Sequence, residues 1–96
     1  MDAHKTKVIF RKYQDGAVVA LFPELAGTYD KYTCLAYESV GQHGAADITG
    51  VIQDTKPASM SQYLLLYKEL ESIGYNLEIV KRNRYDYQEA REAALV

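Results

Sequence analysis

The sequence predicts a small α+β domain: an antiparallel meander sheet in the order β-β-β-α-β, with one main helix packed on one face and a short C-terminal helix. Three observations carry this. Strand-forming residues alternate across Thr6 to Tyr13, Ala17 to Phe22 and Tyr32 to Ser39. Ser59-Met60-Ser61-Gln62 is a helix-start signature, and apolar residues follow it at helical spacing. The chain has 96 residues, which suits one hydrophobic core.

In the first strand Val8 and Phe10 share one face, while Ile9, Arg11 and Tyr13 share the other. Asp15-Gly16 predicts a tight type I′ turn into Ala17 to Phe22, where Pro23 is expected to end the hydrogen bonding. That second strand is apolar at every position, so both of its faces need cover. Leu25 to Asp30 reads as a loop. In the third strand Tyr32, Cys34 and Ala36 oppose Thr33, Leu35 and Tyr37. From Val40 to Ser59 glycines and polar residues predict a long loop, with at most one short helix within 45–53.

Ser59 caps a helix whose stripe is Tyr63, Leu66, Tyr67, Leu70 and Ile73, and Gly74 ends it. Tyr75 to Arg82 is a fourth strand. Asp86 with Glu89 marks a second cap, before a C-terminal helix with few anchors that is expected to fray. A right-handed crossover predicts strand order 3-2-1-4 with the fourth strand parallel to the first, and order 1-2-3-4 stays open. Residues 1–5 are expected to be a mobile N-terminus, 6–84 the domain, and 85–96 a short helix or tail.

Composition narrows the function classes. Eleven Lys plus Arg against 13 Asp plus Glu give a net charge of −2, which fits neither a nonspecific nucleic-acid coat nor a nucleic-acid mimic. The longest apolar run, Ala17 to Phe22, is far short of a membrane span, and Met1-Asp2-Ala3-His4-Lys5 lacks the apolar core of a signal peptide. One cysteine, Cys34, cannot form an internal disulfide. A cytoplasmic protein with no membrane contact is the expectation. Nine Tyr, against two Phe and no Trp, point to an interface.

Four short segments resemble a family of small uncharacterised proteins of gut Bacteroides-type bacteria and their phages or mobile elements. These are Lys7-Val8-Ile9-Phe10-Arg11-Lys12, Ala20-Leu21-Phe22-Pro23, Gly41-Gln42-His43-Gly44-Ala45-Ala46 and Gly74-Tyr75-Asn76-Leu77-Glu78. The resemblance spans roughly Thr6 to Arg84. It implies a bacterial, intracellular origin on a mobile genome, and it brings no catalytic residues with it.

Four constellations bear on chemistry. Gly41, Gln42, His43 and Gly44 form a glycine-flanked loop able to accept a phosphate or base edge, or simply a sharp exit from strand three. Cys34 and His43 are too far apart along the chain to act as nucleophile and base, and His4, His43 and Cys34 lack ligand spacing, so neither a catalytic residue nor a metal site is expected. Lys5, Lys7, Arg11, Lys12, Lys81, Arg82 and Arg84 lie on or beside strands one and four, near Tyr13, Tyr85 and Tyr87. They would form a basic surface or protect the strand edges. Tyr29, Tyr32 and Tyr37 are candidates for an outward patch. The reading that follows is a non-enzymatic interaction module without cofactor, binding a protein partner or itself as a homodimer, as in a mobile-element modulator of a host protein. The alternative is a nucleotide or nucleic-acid binder using Gly41 to Gly44 with Lys12, Arg82 and Tyr85.

Overall fold

The structure is a computed structural model and describes residues 5–38 and 42–95. Its elements are β1 (Thr6–Lys12), β2 (Val18–Ala26), β3 (Thr33–Glu38), β4 (Gln42–Asp47), α1 (Ile48–Asp54), β5 (Lys56–Pro57), α2 (Met60–Ile73), β6 (Leu77–Ile79) and α3 (Tyr85–Ala94). The α+β class holds. The sheet runs β4-β3-β2-β1, and β5 and β6 share the far edge of β1. There β5 pairs antiparallel with Arg11 and Lys12, while β6 pairs parallel with Thr6, Lys7 and Val8. The strand after α2 therefore lies beside β1 and parallel to it, as the crossover argument requires, and order 1-2-3-4 is ruled out.

Alternation along β1 to β3 builds a core on each face. Val8, Phe10, Ala20, Phe22 and Tyr37 meet Leu66 and Leu70 of α2 on one side. Ile9, Val19, Leu21, Cys34 and Ala36 meet Ile48 of α1 on the other. Aromatic stacking ties the first layer together: Phe10 lies 4.5 Å from Tyr63 and Phe22 4.9 Å from Tyr75, centroid to centroid. Both helix signals of α2 are present. The Ser59 N–H donates to Gln62 Oε1 at 2.8 Å, and Gly74 takes φ 126° while its N–H and that of Tyr75 return to Leu70 O.

Several expectations are corrected. Within the first hairpin only Gly16 has positive φ (94°), so it is not a type I′ turn, which needs two such residues. It is a three-residue loop closed by Gly16 N–H to Tyr13 O and Tyr13 N–H to Ala17 O. Pro23 does not end β2: the register shifts between Phe22 and Ala26, and this bulge absorbs the missing donor. The long loop expected over 40–59 holds β4, α1 and β5. Ile73 is 51% exposed, so the buried stripe of α2 ends at Leu70 rather than at Ile73.

The C-terminal helix α3 is anchored on β2 through a buried Arg91. Its guanidinium donates to Pro23 O and Lys31 O, carbonyls left over by the bulge and the following turn. Of the expected mobile N-terminus only Lys5 is described. Among the described residues no helix is long and apolar enough to cross a membrane.

Candidate functional site

Strand β4 has no β-branched residue in Gln42-His43-Gly44-Ala45-Ala46-Asp47, so propensity alone does not make it a strand. Pairing does. It lies against β3 in continuous register, with Glu38 opposite Gln42, Tyr37 opposite His43, Ala36 opposite Gly44, Leu35 opposite Ala45, Cys34 opposite Ala46 and Thr33 opposite Asp47. Cross-strand partners share a face. His43 and Ala45 therefore belong to the α2 side, and Gly44 and Ala46 to the α1 side.

On the α2 side His43 meets an aromatic cluster. Its ring stands edge-on to Tyr37 at 4.7 Å, and Nε2 lies 2.8 Å from the Tyr75 hydroxyl. Tyr75 is placed by the Gly74 cap and stacks on Phe22, while the Tyr37 hydroxyl donates to the Glu69 carboxylate from α2. The bond to Glu69, followed by burial, raises the Tyr37 pKa, and burial raises that of Tyr75. Both phenols are held in the protonated form, which suits hydrogen bonding and contact rather than proton abstraction. On the α1 side the small residues Ala36, Gly44 and Ala46 floor an open groove of about 200 Å³, walled by Tyr13, Val19 and Glu38.

The sequence-predicted site residues divide. His43, Gly44 and Tyr37 come together, although Tyr37 is buried (3% exposed) and is no outward patch. Gly41 and the Gln42 side chain lie outside the described residues. Tyr32 is 56% exposed in the turn before β3, at the opposite end of that strand from His43, with Lys31 Nζ 5.3 Å over its ring. Lys12 ends β1 and Arg82 follows β6 at that edge, while Tyr85 opens α3, which packs on β2. Three strand spacings, roughly 14 Å, separate β4 from β1. The Gly44 segment and the basic strands therefore form no common site, because the meander carries β4 to one edge and the crossover carries β6 to the other.

The basic surface is thinner than its residue count suggests. Arg11 is buried and donates to Thr55 Oγ1, Thr55 O and Ile52 O, closing the C-terminal end of α1. Lys7 pairs with Glu24 and Arg84 with Asp86. Cys34 sits in the α1-side core, away from His43, and burial raises its thiol pKa to about 11. Among the described residues no three His, Cys, Asp or Glu side chains gather as a metal-ligand set. Tyr75 and Glu69 were not anticipated, since no spacing in the sequence links them to His43. Comparison with protein-family models, curated proteins and solved structures finds no match for this chain.

Proposed function

We propose that the protein is a non-enzymatic interaction module that binds a protein partner by adding a strand to the β4 edge. The observation that carries this reading is a contrast between the two edges of one sheet. At the β1 edge the outer strands are only two and three residues long, and they carry Lys56, Pro57 and Glu78, the devices that discourage edge pairing. At the other edge β4 is six residues long, has no outer partner among the described residues, and presents Gly44, Ala45 and Ala46 with no Lys, Arg or Pro. Backbone groups there supply the ladder, and the groove and the His43 cluster flank it on either face to select side chains.

A photo-crosslinking side chain placed at Gly44, where an added Cβ meets nothing within 4 Å, tests this against the same group at Lys56. Adducts are expected from position 44. Adducts from 56 with none from 44 would remove the β4 edge as the contact surface.

A further inference from the structure

The register of β4 points to its occupant. We propose that a second copy of this chain binds there, antiparallel and centred on Ala45, so that His43 of each copy faces Asp47 of the other. This rests on the reading of β4 as a binding edge and names its partner. An antiparallel pair about Ala45 sets Ala45 opposite Ala45, Gly44 opposite Ala46 and His43 opposite Asp47, and the two-fold repeats each contact. His43, Ala45 and Asp47 share one face, because their β3 partners are Tyr37, Leu35 and Thr33. The charge-capable pairs therefore fall side by side at cross-strand distance, a favourable arrangement for opposite charges.

Other registers lose this. Centring between Gly44 and Ala45 sets His43 against Ala46, and centring on Gly44 sets it against Ala45, leaving no charge pair. Both partners also have capacity to spare. His43 engages Tyr75 through Nε2, and no partner is found for its Nδ1 among the described residues. Asp47 is the N-cap of α1, with Oδ1 accepting the Gly50 N–H at 3.3 Å and Oδ2 lying over the same residue, so the pair with His43 draws on the carboxylate's remaining lone pairs at the end of β4. In the dimer Nδ1–H donates to the second copy's carboxylate while Nε2 stays at hydrogen-bond distance from the Tyr75 hydroxyl, which orients the imidazole toward the seam. At the centre of the seam the side chains are no larger than methyl, so the backbones can approach without a clash. On α2, Leu65 is 83% exposed and lies one turn before Glu69, on the flank that reaches toward β3 and the seam. A contact built on six residues of strand is smaller than the roughly 1,600 Å² of a standard interface, so the dimer is expected to dissociate in the micromolar range.

Two experiments on the full chain decide this. In sedimentation equilibrium from low to high micromolar concentration, wild type is expected to dimerise. His43→Lys, which keeps the pair with Asp47, should retain the dimer, and His43→Glu should weaken it by about 10-fold or more. Under mild oxidation Ala45→Cys should form a covalent dimer much faster than Lys56→Cys, with buried Cys34 inert in both. A chain monomeric at high micromolar concentration overturns the proposal. So does equal tolerance of Lys and Glu at position 43, or crosslinking at 45 no faster than at 56. Adducts from position 44 to a different protein, on a chain that stays monomeric, would overturn the second-copy inference and leave the edge reading standing.

Discussion

Two arginines and one cysteine show how much of this fold is decided at single side chains. Arg11 and Arg91 are 8% and 1% exposed, and each spends its guanidinium mainly on backbone carbonyls that the chain path leaves unpaired. The planar five-donor fork suits that task, and a lysine would leave some of those acceptors bare. Cys34 is buried without any such role, and its burial has a measurable consequence. Its pKa rises from 9.0 to about 11, so the fold favours the neutral thiol. The associated stability is then fully present below pH 9 and is lost as pH rises through 11. Burial shifts Tyr13 and Tyr75 in the same direction, which continues the loss at higher pH. Urea midpoints measured from pH 8 upward should be flat at first and then fall. Cys34→Ala should flatten the fall between pH 9 and 11, and an unchanged slope would show that the thiol does not carry it.

At the scale of elements, legibility in the sequence followed side-chain periodicity and failed where backbone pairing took over. The faces of β1 and β3 and the ends of α2 could be read because Val8/Phe10 against Ile9/Arg11, and Ser59 to Gln62, are local patterns. Strand β4 could not, because His43, Gly44 and Ala45 become a strand only when β3 lies beside them, and the candidate site built on β4 was correspondingly half seen. The anchor of α3 was hidden for a related reason, since a charged residue at position 91 does not announce a buried face. Glycine is the sharpest case. An added Cβ at Gly27 would lie 2.5 Å from Cys34 O and 2.9 Å from Ala45 Cβ, whereas one at Gly44 would meet nothing within 4 Å, and neither has positive φ. Gly27→Ala is therefore expected to cost about 1–3 kcal/mol by forcing β2 and β3 apart. Gly44→Ala should be neutral or slightly stabilising. Thermal melts of the two variants check this, and equal midpoints would mean that the close approach at Gly27 is not required.

For the whole molecule, the two cores are not independent, because β1, β2 and β3 supply alternate residues to both. Leu70 reaches the sheet only from the α2 side and Ile48 only from the α1 side, and both are essentially fully buried. If each face were a separate unit, Leu70→Ala would loosen α2 while the α1 face kept its stability. The shared strands argue otherwise. Losing either layer exposes the backbone pairing of β1 to β3, on which the opposite layer rests. Each substitution is thus expected to lower global stability by about 2–5 kcal/mol. Unfolding should stay a single transition in which tyrosine fluorescence and far-ultraviolet dichroism coincide. Two separated transitions in either variant would show that the faces melt apart. The same coupling bears on the proposed binding edge: among the described strands β4 pairs with β3 alone, and β3 is packed by both cores, so destabilising either face should weaken the proposed strand addition at β4 without touching a residue of that edge. Measuring dimerisation of Ile48→Ala below its unfolding range tests this link. Unaltered affinity there would mean that the edge is organised by β3 locally rather than by the two-layered sheet.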